Sequence, residues 1–231
     1  MLETLHAHAD LTGWAQAFST LLAGILAVFA GAFAYNGARK QANAILETQK
    51  RELEERRKIV SIELYARLII SFDTVVSSLL QLHQEDAFIW GISTNQYNDI
   101  FGKVGSLGEK AARDVVYAVR KLELSTVSIL AMQYERNPEL IAFNMEIARA
   151  TDGVPNAFVV RPVSLGFKCR VFAMGINTLT FIVTAIEELS RNFDSDYTEI
   201  KNRKDELKAL ETIFEHLKSS FQQPGDHMVT E

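Results

Sequence analysis

The feature that most constrains this chain is the stretch 11–38, which contains no charged residue and holds a hydrophobic segment bounded by Trp14 and Tyr35. A helix rises about 1.5 Å per residue, so residues 14–35 span roughly 33 Å, close to the hydrocarbon thickness of a bilayer. Phe18, Leu21, Leu22, Ile25, Leu26, Val28, Phe29 and Phe33 each contribute about −0.3 to −0.6 kcal/mol near the centre of a span, together roughly −2 to −5 kcal/mol. The amphipathic rings of Trp14 and Tyr35 suit the headgroup level at its two ends. The alternative is a buried helix of a soluble core, but such a helix is rarely free of charge for this long. One transmembrane helix over 14–35 is therefore expected, with the lipid bilayer as its first partner.

Orientation follows from the basic residues on either side. Only Glu3 and Asp10 carry charge before the span, whereas Arg39, Lys40, Lys50, Arg51, Arg56, Arg57 and Lys58 follow it. The positive-inside bias puts residues 1–13 outside and everything after Tyr35 in the cytoplasm, with Trp14, Tyr35, Arg39 and Lys40 at the membrane interfaces. Ala32, Phe33 and Ala34 resemble a signal-peptide cleavage site, which would instead export the remainder. Against that, the preceding residues lack positive charge, and the apolar stretch is longer than a usual signal core.

About 190 residues follow the span, enough for one domain with a sizeable core, and 48% apolar with 23% charged residues is ordinary globular usage. A net charge of −5 argues against a general nucleic-acid binder, which needs a basic face to neutralise phosphates. The single cysteine, Cys169, excludes an intrachain disulfide and suits a reducing cytoplasm. It lies in an apolar helical stretch, so a packed thiol is expected there rather than a reactive one.

Four prolines and no sustained alternating pattern make an all-α reading the natural one. Asn36 and Gly37 are expected to loosen the helix at the interface. Residues 36–58 then form a basic stalk, where Leu46, Leu53 and Val60 recur every seven positions as half of a coiled-coil seam, the other half being the polar Gln49 and Arg56 with Ala42. From residue 59 the helix turns strongly apolar, through Ile62, Leu64, Leu68, Ile69, Phe72, Val75, Val76, Leu79 and Leu80, and enters a packed domain extending to 221. Residues 84–105 are irregular and aromatic, with Trp90 at their centre, and fold back over that core. Ser106 and Glu109 read as a capping box that opens a helix over 107–135. Asn137 and Pro138 start a short helix to 150, a proline-bearing loop follows, and helices over 164–192 and 195–221 close the domain before a mobile tail, 222–231. Residues 171–186 carry no charge and resemble a second span. They are short for a crossing, hold Asn177 and end on Glu187 and Glu188, which suits the central helix of a soluble bundle better.

The order of these features resembles uncharacterised bacterial single-span inner-membrane proteins with a cytoplasmic helical domain. The likeness rests on the span and basic stalk, on Ser61, Ile62, Glu63 and Leu64, and on residues 97–120. There, Gly102, Lys103, Val104, Gly105, Ser106, Leu107 and Gly108 lead into a helix with the apolar pair Val115 and Val116. It covers residues 14–120 and implies a shared helical fold and membrane anchor. It brings no catalytic residues, and residues 121–231 stand on periodicity alone.

Catalytic and cofactor motifs are absent: no P-loop, no dinucleotide fingerprint, no HExxH, no Cys/His zinc spacing and no RxxxxH nuclease signature. His6 and His8 point to different sides of a helix and make a poor metal site, and His83, His216 and His227 have no neighbouring ligand at metal spacing and read as solvated. Asp194, Asp196 and Glu199 look like the opening of a calcium loop, but the sixth position is Glu199 where such a loop needs glycine. A helix N-terminus with acidic residues explains them better. No enzyme, metal or cofactor is expected.

Within the span, Gln16, Thr20, Ala23, Ala27, Ala30, Ala34 and Gly37 alternate at spacings of four and three. A strip of small residues lets helices approach closely, and Gln16 and Thr20 can hydrogen-bond between chains, so a homo-oligomer is expected. The apolar face of the last helix, Leu207, Leu210, Phe214 and Leu217, and the aromatic segment at Trp90 are candidate contacts for a cytoplasmic or membrane protein partner, with internal packing as the alternative for both. Together these features predict an all-α chain with one N-terminal transmembrane helix, a long stalk helix and an antiparallel cytoplasmic helical bundle. Its role is that of an oligomeric interaction protein: a scaffold, sensor or accessory subunit. The second role, a pore-forming or membrane-perturbing effector, lacks a charged ring or a polar lining beyond Gln16, Ser19 and Thr20.

Overall fold

The structure is a computed structural model that describes residues 2–85, 97, 102–136, 164–193, 195 and 197–222, with side chains described at all of these except 2–12, 85 and 133–136. The described chain is all-helical and contains no strand. Helix α1 spans Leu2–Glu85, α2 spans Glu109–Arg136, α3 spans Leu165–Ser190 and α4 spans Tyr197–Gln222, with a 3-10 turn at Val104–Ser106. The chain divides into two compact units, Met1–Glu54 and Glu55–Glu231.

The first unit is helical from residue 2 onward, and every side chain described in it is exposed. Asn36 and Gly37 do not interrupt α1, contrary to the expectation from sequence. A Cβ placed on Gly37 would meet nothing within 4 Å, so this glycine relieves no crowding, and its cost to the helix is the modest entropic one of an unsubstituted backbone. Leu46 and Leu53 are exposed, while Val60, the third member of their seven-residue series, is buried in the second unit, so the series marks no continuous seam within the chain.

The second unit has one hydrophobic core. From α1 it takes Val60, Leu64, Tyr65, Leu68, Phe72, Val75, Leu79 and Leu82, a stripe at helical spacing that turns the opposite side, including Ile59, Ile62 and Ile70, outward. From α2 come Ala111, Val115, Ala118, Val119, Leu122 and Ile129, and Val116 packs partly against the core. The most deeply buried element is α3, with Phe167, Val171, Phe172, Gly175, Thr178, Leu179, Ile182, Val183, Ala185, Ile186 and Leu189 all inside. Sequence order along the contacts gives the directions. Lys110 meets Glu188 and Ser125 meets Thr178, Ser61 meets Asn192 and Leu79 lies against Gly175, and Lys204 meets Glu187 while Phe221 lies against Gly166. Helix α3 therefore runs antiparallel to α2, α1 and α4.

The start of α2 differs from the capping-box expectation. The Ser106 hydroxyl donates to the Lys103 carbonyl at 2.7 Å, and the Leu107 amide bonds to Val104, closing a 3-10 turn in place of a helix cap. Ser106 is thereby committed to the turn before the helix, and the first α2 bond runs from the Ala112 amide to the Gly108 carbonyl. At α3, Ser164 is a side-chain cap, accepting from the Phe167 amide at 3.3 Å, as serine before a helix does. Helix α4 begins at Tyr197, two residues later than the expected Ser195. The expected short helix over 138–150, the proline-bearing loop and the tail from 223 onward lie outside the described residues, as does Trp90.

Candidate functional site

Two kinds of feature stand out: an apolar helical segment in the first unit, and polar clusters that bridge helices in the second. In the first, Trp14, Phe18, Leu21, Leu22, Ile25, Leu26, Val28, Phe29, Phe33 and Tyr35 are all exposed, from 44% at Ile25 to 78% at Trp14. Isolated exposed hydrophobics are ordinary on a soluble surface; ten within 22 consecutive positions are not, because contiguous apolar surface of this extent marks a place where something other than water belongs. The small residues Ala23, Ala27, Ala30 and Ala34 share that exposure, as do Gln16 and Thr20. The hydroxyls of Ser19 and Thr20 each donate to the Gln16 carbonyl at 2.9 Å, so both aliphatic hydroxyls in the segment are bonded within their own helix. Arg39 and Lys40 follow on α1, exposed.

By length and composition two helices could cross a membrane, α1 from Gly13 and α3, and their burial separates them. The apolar window of α1 is wholly exposed, whereas half of that in α3 is buried against its neighbours. The charge-free run 171–186 is thus a core helix of the second unit, as its flanking Glu187 and Glu188 lead one to expect. Glu187 accepts from Lys204 at 2.7 Å, and Glu188 accepts from Lys110 at 2.6 Å and Arg191 at 2.7 Å.

In the second unit, Arg203 of α4 reaches α1. Its guanidinium pairs with Asp73 and with Glu206 at 3.2 Å, lies 3.8 Å from Glu199, and stacks over the Phe72 ring at 5.3 Å. Tyr65 donates to the other Glu199 oxygen at 2.9 Å, and its ring meets Phe193 edge-on at 5.2 Å. Of the acidic stretch 194–199, Glu199 serves Tyr65 and Arg203, while Asp194 and Asp196 lie outside the described residues. Among the described residues no group of three or more acidic, histidine or cysteine side chains is placed to hold a metal. On the other flank, Glu63 accepts from Arg67 at 2.7 Å and from Lys103 at 3.1 Å, joining α1 to the 3-10 turn. Two hydroxyl pairs are buried, Ser71 of α1 with Tyr97 at 2.5 Å and, between α2 and α3, Ser125 with Thr178 at 2.7 Å.

The apolar face of α4 takes the internal-packing alternative in its first half. Leu207 and Leu210 are buried, and Phe214 and Leu217 pack partly against the same core. His83 and His216 are exposed, His83 with its ring edge-on to Phe172 at 6.4 Å. Cys169 is half-buried beside a cleft of about 340 Å³ lined by Met132, Ser164, Gly166, Phe167, Arg170 and Phe221. Burial pushes its thiol above the ordinary 9.0, and nearby Lys218 pulls the other way. The clusters at Arg203 and at Ser125 escape sequence reading because their interhelical contacts join distant positions, Arg203 to Asp73 130 residues apart and Ser125 to Thr178 53 apart. A polar residue at an apolar-face position, as Ser125 and Thr178 are, was the one available signal.

The chain matches no family model, no curated protein and no solved structure.

Proposed function

We propose that this chain is a non-enzymatic single-pass membrane protein, anchored by residues 14–35 in a bacterial cytoplasmic membrane with its N-terminus outside. It self-associates through the small-residue strip and presents its helical bundle in the cytoplasm as a scaffold, sensor or accessory subunit, in keeping with its resemblance to uncharacterised single-span inner-membrane proteins. The observation that carries the reading is the charge-free helical segment whose large apolar side chains are all exposed. In water that exposure is unfavourable by roughly 1 kcal/mol or more per large side chain, whereas in hydrocarbon it is favourable. The excess of Arg and Lys after Tyr35 supports the orientation. The self-association rests on Ala23, Ala27, Ala30 and Ala34 on one face of an uncovered helix.

Alkaline carbonate extraction of membranes, with a reporter fused to the C-terminus, tests the anchor. Retention in the pellet with a cytoplasmic reporter signal is expected. Release into the supernatant overturns the span, and a periplasmic signal overturns the orientation. An Ala27→Cys variant in a Cys169→Ser background should give a disulfide-linked dimer on oxidation of native membranes; absence of any linked species at Ala23, Ala27 and Ala30 in turn overturns self-association through this strip.

A further inference from the structure

We propose that α4 is a hinged strap: its second half, residues 211–222, leaves the core in the native protein while an interhelical clasp in its first half holds the helix in place. This goes beyond the membrane reading and does not depend on it. The two halves are fastened differently. The first half carries all the residues of α4 that are buried, Ile200, Leu207 and Leu210, and all its polar bridges to other helices: Arg203 to Asp73, Glu199 to Tyr65, and Lys204 to Glu187. The second half has no fully buried side chain. Ile213, Phe214 and Leu217 pack partly against the core, Phe221 is 52% exposed, and Lys218 pairs with Glu215 of the same helix. Few buried apolar contacts and no cross-helix polar bridge are the physical signature of a segment that opens at low free energy, well below global unfolding.

What the opening uncovers is specific. The Phe221 ring lies over Gly166, where a Cβ would sit 3.5 Å from it, and with Phe167, Cys169 and Met132 it walls the cleft at the start of α3. Lys218 is close enough to lower the pKa of the Cys169 thiol. Departure of residues 211–222 removes that wall and that charge together, so the strap controls access to the α3 surface around Cys169. The clasp sets where opening stops, because breaking it also requires withdrawing Leu207 and Leu210 from the core.

Hydrogen exchange by mass spectrometry on the full chain in detergent micelles tests this. Peptides from 211–222 should exchange at least about 100-fold faster than those from 171–189, with 199–207 between them, and maleimide labelling of Cys169 should follow the fast class. Arg203→Gln should bring 199–207 up to the rate of 211–222 while α3 keeps its protection. Should that variant fail to fold, Lys204→Gln, at a more exposed site, is expected to narrow the same gap at least threefold. Equal protection of 211–222 and α3, or a rate for 199–207 that neither substitution moves, overturns the strap.

Discussion

Gly175 on α3 lies against Leu79 on α1, and that contact yields a double-mutant cycle with signs fixed in advance. A Cβ at Gly175 would stand 2.7 Å from Leu79 Cδ1, 3.0 Å from Cδ2 and 3.2 Å from Cγ, and Leu79 is wholly buried. Gly175→Ala gains about 1 kcal/mol of helix propensity, because alanine gives up less backbone freedom in a helix interior. It loses about 1–3 kcal/mol to overpacking, because all three carbons of the Leu79 fork are crowded at once and cannot rotate away in a filled core. The net is a destabilisation of up to about 2 kcal/mol. Leu79→Ala alone costs about 2–5 kcal/mol as a cavity forms. In that background the fork is gone, so Gly175→Ala keeps its propensity gain, adds a methyl group to the void and stabilises by about 1 kcal/mol. The coupling between the sites is then about 1–3 kcal/mol and favourable, as expected of residues in direct contact. Denaturant unfolding of the detergent-solubilised protein, followed by far-UV circular dichroism, measures all four corners. If Gly175→Ala destabilises equally in both backgrounds, the close approach of α1 and α3 at this point is wrong.

Other outcomes follow from single contacts. Ser125→Ala leaves the Thr178 hydroxyl bonded to the Met174 carbonyl at 2.9 Å and should cost only about 0.5–1.5 kcal/mol, while the paired change Ser125→Ala with Thr178→Val should cost less than the sum of the two singles, as read by the same unfolding assay. The Cys169 pKa is raised in the folded chain, so its contribution to stability is complete below the unfolded value near 9.0 and fades as pH rises through the folded value. Maleimide labelling of the native protein should accordingly climb at a higher pH than labelling in denaturant, with a Lys218→Ala variant shifting the native profile higher still.

Helix periodicity made the core half of α1 readable. Of the nine apolar residues expected to enter a packed domain, Leu64, Leu68, Phe72, Val75 and Leu79 are buried, Ile69, Val76 and Leu80 pack partly against the core, and Ile62 faces outward, because apolar content marks the entry and the spacing of three and four selects the buried side. Ser164 was legible at the start of α3 and Ser106 was not a cap at α2, although both are serines preceding an apolar helix. Ser106 found a nearer acceptor in the Lys103 carbonyl, a choice made by the Gly102–Gly105 backbone and not by the serine itself. The face of α4 was legible as apolar but not as covered: periodicity states that Leu207 and Leu210 need a partner, and leaves open whether it comes from this chain or another. Arg203 was not legible at all, since a guanidinium in a charged helix reads as solvated until a stacked Phe72 and a facing Asp73 bring it to 17% exposure.

The same ambiguity governs the two apolar helices, and burial decides between them where composition fails. Length and hydropathy admit both α1 and α3 as candidates. In α3 the apolar residues share one core with Leu79, Leu122 and Leu210 of neighbouring helices, and its exposed side carries Arg170, Asn177, Thr180 and Thr184. Inserting it into lipid would strip the core from three other helices at once. The α1 segment loses nothing by entering a bilayer, since none of its apolar surface is in use within its own unit. A helix that is apolar all round is stable only where its whole circumference is covered, by protein or by lipid. In the first unit no second element is present among the described residues to cover it, and this asymmetry of use, more than the hydropathy of residues 14–35, is what supports a membrane anchor.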